Sequence, residues 1–249
     1  MSSDENVNAR YYGTTKPGRR DYWRFMAAPR VRMSTILSIL SPVPPGDLVD
    51  LGCGDGRFLS VLADEYPTVR LAGIDLSRAQ IEKNRKEAPS LAWHVADLDG
   101  AISLPADLLG RFDVVTALEL IEHVSDPHRL LSHALALAKP GGRLILSTQS
   151  GPLRETEKQV GHRQHFSLRE MTGLLTSAGW RPVRVWNSGW PFHDLSKWMA
   201  NLSPDRSMRH FGEESYEWPQ KFLCLILRGL FKFNSKSRGA QLFAMAEKP

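Results

Sequence analysis

The stretch Val49–Phe58 reads VDLGCGDGRF. It sets Gly52, Gly54 and Gly56 at every second position just after the apolar run that begins at Leu48. Glycine lets the backbone turn sharply and approach a ligand closely. The pattern predicts a buried strand over 48–52, a bend, and a helix over 58–65. A glycine bend after a first strand also occurs in dinucleotide-binding folds, but their G-x-G-x-x-G fingerprint needs a third glycine at 57, where Arg57 stands. Asp50 and Asp55 flank the glycines. Carboxylates here repel a pyrophosphate and favour an ammonium group. A cofactor with a cationic amino-acid end therefore fits better than NAD.

Outward from this bend, apolar runs alternate with helical patterns. Strands are predicted over 69–76, 90–98, 112–120, 143–149, 181–187 and 239–248. Helices are predicted over 20–40, from the Ser77 cap to about Lys86, over 127–138, and from Ser167 to Ala178. Glu170 completes a capping box with Ser167, Gly179 ends that helix, and KPGG (139–142) is expected as a turn. Strands separated by helices imply parallel βαβ units. The expected architecture is α/β: a doubly wound, seven-stranded, mostly parallel sheet. An N-terminal helical cap (1–40) precedes the main domain (41–249), and a helical insertion (about 190–238) precedes the last strand. Ligands in such sheets bind beyond the carboxyl ends of the strands.

Acids recur at those ends. GIDLS places Asp75 at the end of the second strand, where a carboxylate can accept from both hydroxyls of a ribose. ADLD (96–99) ends the third strand; Asp97 could accept from an adenine amino group and Leu98 could pack on its ring. Three acids at successive strand ends are hard to ascribe to separate turns or caps.

With these residues in view, the sequence resembles the class I S-adenosylmethionine-dependent methyltransferases. It resembles in particular the small-molecule group that includes the ubiquinone-biosynthesis O-methyltransferases. VDLGCGDG looks like their motif I, GIDLS like motif II, ADLD like motif III and FDVVTALELIEHVSDP (112–127) like motif IV; LAKPGGRLILST (137–148) looks like the strand that follows. The resemblance covers roughly residues 30 to 187. It implies that S-adenosyl-L-methionine is the cofactor, with Gly52, Gly54 and Gly56 at its methionine moiety, Asp75 at its ribose, and Asp97 and Leu98 at its adenine. Arg32 matches an arginine that meets the cofactor carboxylate in related enzymes, with Arg30 as second choice. Asp50, Cys53, Leu76 and Glu119 complete the expected cofactor-binding set. Tyr11, Tyr12, Tyr22 and Trp23 are expected either to cap the pocket or to pack the N-terminal helix.

ELIEHV (119–124) carries Glu119, Glu122 and His123, and GHRQHF (161–166) adds His162 and His165. Two carboxylates and an imidazole can bind a divalent cation. Some relatives with E-x-x-E-H use it, with a later histidine, to hold magnesium or another cation. The expected ligands here are Glu119, Glu122, His123 and His162. The alternatives are that Glu122 and His123 only brace the loop, or that His123, His162 or His165 is a general base without metal. Motif IV lacks the N/D-P-P-Y/F signature of amide and adenine N-methylation, which favours a small-molecule acceptor. Transfer to an oxygen of an apolar or aromatic metabolite is expected first. N- or C-methylation, or a non-catalytic cofactor-binding partner subunit, comes second.

The 249 residues carry 32 Lys and Arg against 27 Asp and Glu, a net charge of +5. The basic residues are scattered, so no nucleic-acid partner is expected. Cys53 and Cys224 lack metal spacing and suit a reducing compartment. With no apolar stretch of signal-peptide or membrane-span length, a cytoplasmic protein without a transmembrane segment is expected. SGWPFHDLSKWM (188–199) is rich in aromatics, and Tyr216–Phe233 reads as a helix apolar on nearly every face. Such a helix is normally buried. Burial in the fold or in a homodimer is expected, ahead of a lid or a membrane-surface contact.

Overall fold

All four residues of Leu48–Leu51 are buried, as a strand covered on both faces requires. This strand, β1, lies at the centre of the sheet. The computed structural model describes residues 20–41, 46–100, 104–211 and 215–249. Helices α1 (Arg20–Phe25) and α2 (Ala27–Leu40) come first. The chain then alternates through β1, α3 (Arg57–Glu65), β2 (Leu71–Asp75), α4 (Arg78–Glu87), β3 (Ala92–Val95), β4 (Phe112–Leu118), α5 (Pro127–Leu137) and β5 (Ala138–Gln149). It continues through α6 (Glu155–Gln159), α7 (Leu168–Ser177), β6 (Arg181–Ser188), α8 (Phe192–Ala200), α9 (Pro204–Phe211), α10 (Trp218–Phe231) and β7 (Gln241–Glu247).

The seven strands lie in the order β3-β2-β1-β4-β5-β7-β6. β7 runs antiparallel to both neighbours, whereas β1 to β5 are parallel. Strand order reverses between β1 and β4, which opens a crevice at their carboxyl ends. Strand residues divide by period two between two cores. Leu48, Val114, Ile145 and Phe243 join Ile36 of α2, Leu59 and Leu62 of α3 and Ile81 of α4 on one face. Val49, Leu51, Val115, Leu144 and Leu146 join Leu130 and Leu131 of α5 and Met171 and Leu175 of α7 on the other. Each fully buried leucine contributes about 1.5–3 kcal/mol of transfer free energy.

Several local expectations change. The helix expected over 20–40 breaks at Met26, whose ψ of 128° is not helical. KPGG is part of β5 rather than a turn between elements. Phe112 faces Ala138 and Val114 faces Arg143, so Lys139–Gly142 bulge out within the strand, with Gly141 at φ +74°. Tyr11 and Tyr12 lie outside the described residues, as do all of residues 1–19 of the expected cap. Ser77 and Ser167 cap their helices through side-chain oxygens, as their sequence positions predict.

The helix over Tyr216–Phe233 corresponds to α10, and it is not wholly buried. Gln220, Cys224 and Phe231 face inward, whereas Trp218, Phe222, Leu225 and Ile226 face out. Among the described residues, α1, α2 and α8 approach α10 from the inward side.

Candidate active site at the strand ends

The glycine bend is held from two directions. Gly52, Gly54 and Gly56 all have positive φ (67°, 50° and 68°). A Cβ at Gly52 would meet Leu120 at 2.8 Å and one at Gly56 would meet Trp93 at 2.6 Å, whereas Gly54 faces open space. The amide of Gly54 donates to Asp75 Oδ2 at 2.9 Å, and Asn84 Nδ2 donates to the Gly54 carbonyl at 2.8 Å. Ser77 N donates to Asp75 Oδ1 at 2.8 Å. One acid at the end of β2 thus fixes the bend after β1, with lone pairs left on each oxygen. Burial raises the Asp75 pKa above the usual carboxylate range, and the two amide bonds oppose it. From above, Trp23 of α1 donates to Asp55 Oδ2 at 2.7 Å, which ties the N-terminal helix to the bend.

Asp50 is buried under the bend and accepts a 2.6 Å bond from Thr116 Oγ1. Burial, opposed by Thr116 and reinforced by the Asp75 charge, raises its pKa to about 7. Cys53 is buried, and burial with the neighbouring acids pushes its thiol well up, so it is not a nucleophile. Leu76 is partly exposed and Leu98 is buried. Asp97 Oδ1 accepts from the Asp99 amide at 3.0 Å, and Asp99 in turn binds the amides of Ser125 and Asp126.

Glu119, just past β4, has φ +51°, the one positive value for a non-glycine among the described residues. Such backbone strain is held by surrounding contacts and clusters at functional sites. Those contacts are specific. Arg32 lies 3.1 Å from Glu119 Oε2, Gln149 Nε2 donates to Oε2 at 2.7 Å, and Ser147 Oγ and Gln241 Nε2 each donate to Oε1 at 2.9 Å. Burial alone would raise the Glu119 pKa, but Arg32 and these donors hold it well down. Lys197 of α8 continues the network, donating to Gln149 Oε1 at 2.8 Å and lying 3.1 Å from Glu157. Arg32, the residue matched to a cofactor carboxylate, thus pairs with Glu119.

Glu122, His123 and His162 form a second cluster, their ligand-competent atoms all within 4.8 Å of one another. Glu119 is not part of it. Glu122 is fully buried; Thr148 Oγ1 donates to its Oε2 at 2.8 Å, and its Oε1 has no hydrogen-bond partner among the described residues. Burial and the Glu119 charge push the Glu122 pKa up. His123 stacks edge-on against His162 at 4.7 Å.

His162 Nδ1 lies 3.0 Å from His165 Nε2, and His165 Nδ1 lies 3.2 Å from the Gly151 carbonyl. A carbonyl only accepts, so His165 carries its proton on Nδ1, and its bare Nε2 accepts from His162 Nδ1. His162 therefore keeps a lone pair on Nε2. Burial lowers the pKa values of all three histidines and keeps them neutral.

A cavity opens beside Arg32. Ala28, Val31, His193, Phe231 and Phe243 contribute to its walls. His193 of α8 is buried, and burial with the Lys197 and Arg32 charges lowers its pKa to about 3. Residue-type reading did not select His193, Gln149, Gln241, Asn84 or Thr116. His193 gave a partial signal, since it falls in the aromatic-rich run after β6. Gln149 and Gln241 sit at strand ends, but a lone glutamine carries no sequence signal.

Residues 20–185 match a family model described as a methyltransferase domain. The ubiquinone biosynthesis O-methyltransferase of Coxiella burnetii is 38% identical over 103 residues, 41% of this chain and 42% of that protein. That of Albidiferax ferrireducens is 34% identical over 116 residues, 44% of this chain and 43% of that protein. The match thus spans less than half the length of these relatives. Among solved structures, phosphoethanolamine N-methyltransferase 2 of Haemonchus contortus in complex with S-adenosyl-L-methionine superposes with a TM-score of 0.64 at 16% identity. It covers 100% of this chain and 60% of that one. A geranyl diphosphate methyltransferase in complex with GPP and sinefungin has a TM-score of 0.59 at 17% identity, over 89% of this chain and 78% of that one. Likeness at such identities is one of fold.

Proposed function

The chain belongs to the methyltransferase-domain family, and from that premise we propose that it transfers a methyl group from S-adenosylmethionine to an oxygen of a small apolar or aromatic molecule. The observation that carries the cofactor reading is the acidic glycine bend. Asp75 holds Gly54 and keeps lone pairs for a ribose, and the Asp55 carboxylate disfavours a phosphorylated cofactor. The aromatic-rich run 188–199 and the apolar part of the cavity wall, Val31, Phe231 and Phe243 beside Ser188, Asn234 and Gln241, are what the apolar-acceptor reading rests on.

His162 is the proposed general base. Its Nε2 lone pair accepts the acceptor's hydroxyl proton, while His165 and the Gly151 carbonyl hold the tautomer and stabilise the imidazolium. The oxygen forms a bond to the methyl carbon, and the carbon–sulfur bond breaks with its electron pair going to sulfur. The products are a methyl ether and S-adenosylhomocysteine, and the proton passes from His162 to solvent. The protein's work is alignment and exclusion of water.

A second reading rests on the cluster of Glu122, His123 and His162. One carboxylate oxygen without a partner and two neutral imidazoles fit a zinc or other first-row divalent ion better than magnesium, which prefers oxygen donors. Bound there, such an ion would polarise the acceptor oxygen and lower its pKa. His162 would then be a ligand, and His165 and the Gly151 carbonyl would orient its ring.

Product formation from methyl-labelled S-adenosylmethionine over a panel of phenols and catechols tests both. His162→Gln should lower kcat by about 10²–10⁴-fold with little change in cofactor affinity. Full activity in His162→Gln would contradict both readings. Activity that survives chelation supports the base; loss on chelation with recovery on adding zinc or manganese supports the ion.

A further inference from the structure

We propose that the outward faces of α8 and α10 dock this protein on an anionic lipid surface. On α8, Leu195, Trp198 and Met199 are exposed, followed by Leu202 in the next turn, at spacings of three, four and seven residues. That spacing makes one apolar stripe. On α10, Trp218, Phe222, Leu225 and Ile226 repeat the pattern, with Trp218 at 69% exposure, and Phe233 just beyond the helix is 77% exposed. The two helices pack on each other, with the rings of His193 and Phe231 5.6 Å apart. Their inner faces are thus used within the fold, while both outer faces carry apolar side chains. Among the described residues nothing covers this aromatic and aliphatic surface, and an apolar face of this extent marks an interaction site.

Charge identifies that partner. From Trp218 to Ala240 the sequence holds Lys221, Arg228, Lys232, Lys236 and Arg238 and no carboxylate. Lys221 is spent on Asp21 of α1 at 3.2 Å, but the other four are exposed. A second copy of this chain would bring four like charges against four, whereas an anionic bilayer neutralises them. Trp190, Trp198 and Trp218 are all exposed, and tryptophan favours the boundary between headgroups and acyl chains. No helix among the described residues is long and apolar enough to cross a membrane. The contact is therefore an in-plane one, with the apolar stripes in the boundary layer and the cations at the headgroups. Phe231 and His193 line the cavity beside Arg32, so the docking helices also wall that cavity.

Flotation of the full chain with phosphatidylcholine vesicles, and with the same vesicles containing phosphatidylglycerol, tests this. The protein should float with the anionic vesicles, and less so as salt rises. Trp218→Ser combined with Phe222→Ser should cut that partition at least about tenfold while S-adenosylhomocysteine affinity and the melting temperature hold. Should that variant fail to fold, quenching of the unmodified protein's tryptophan fluorescence by brominated phosphatidylglycerol gives the answer without a substitution. Failure to float with anionic vesicles, equal partition of the folded variant, or no quenching would overturn the proposal. So would a dimer in light scattering that the double substitution splits, since the face would then be covered by a second copy.

Discussion

Asp50 carries a buried carboxyl beneath the glycine bend, and its folded-state pKa of about 7 lies above the unfolded value of 3.8. The folded state therefore holds a proton that the unfolded chain has released between those pH values. Stability falls as pH rises from about 4 through about 7, and is flat above. At roughly 1.4 kcal/mol per pKa unit the loss is at most on the order of 4 kcal/mol. Asp50→Asn keeps an acceptor for Thr116 without a charge. It should remove most of this slope in denaturant melts of the ligand-free protein, so that the variant is the more stable at pH 8. An unchanged slope would mean that Asp50 ionises freely in the fold. At this scale much of the site was legible. Gly52, Gly54, Asp75, Glu122, His123 and His162 stood out because their chemistry is rare at such spacings. What escaped was the set of neutral partners. Gln149, Gln241 and Ser147 saturate Glu119, and nothing in an isolated glutamine says which carboxylate it will meet across a sheet. Glu119 was accordingly expected among the metal ligands, yet its oxygens already hold four donors.

The insertion between β6 and β7 rests on a narrow neck. Gly189 N donates to Ser235 O at 3.0 Å and Trp190 N donates to Arg238 O at 2.9 Å, which closes the excursion before β7 begins. Gly239 sits in this neck at φ +131°, and a Cβ there would lie 2.4 Å from both Ser188 O and Trp190 N. Backbone atoms cannot swing aside as a side chain can. Gly239→Ala should therefore destabilise the protein by about 2 kcal/mol or more, read as a lower midpoint in thermal or urea unfolding. A midpoint unchanged from the parent would show that the neck is loose. Element types were readable from period and punctuation, but coverage was not. Residues 216–233 are apolar on nearly every face, and periodicity alone cannot say whether each face meets protein. Among the described residues, protein covers the Gln220, Cys224 and Phe231 side, while Trp218 and Phe222 are exposed. KPGG misled for a related reason: its Pro-Gly-Gly reads as a turn, and only the pairing with β4 reveals a bulge within a continuing strand.

At the scale of the molecule, alternation of apolar runs with helical patterns sufficed for a doubly wound sheet. The order β3-β2-β1-β4-β5-β7-β6, with β7 reversed between β5 and β6, needed the long-range pairings. That order gathers the chemistry, because the ends of β1, β2, β4 and β5 all open on the same side of the crevice. The network Arg32–Glu119–Gln149–Lys197 then joins α2, the loop after β4, β5 and α8 across it. The N-terminal helices and the insertion are thereby tied to the crevice, and the proposed function makes the acidic bend the element that selects the donor. The most direct test is calorimetric titration of the purified chain with S-adenosylhomocysteine and, separately, with NAD. One equivalent of S-adenosylhomocysteine should bind, Asp75→Ala should weaken it about tenfold or more, and NAD should give no heat of binding. Saturable binding of NAD with none of S-adenosylhomocysteine would contradict the account.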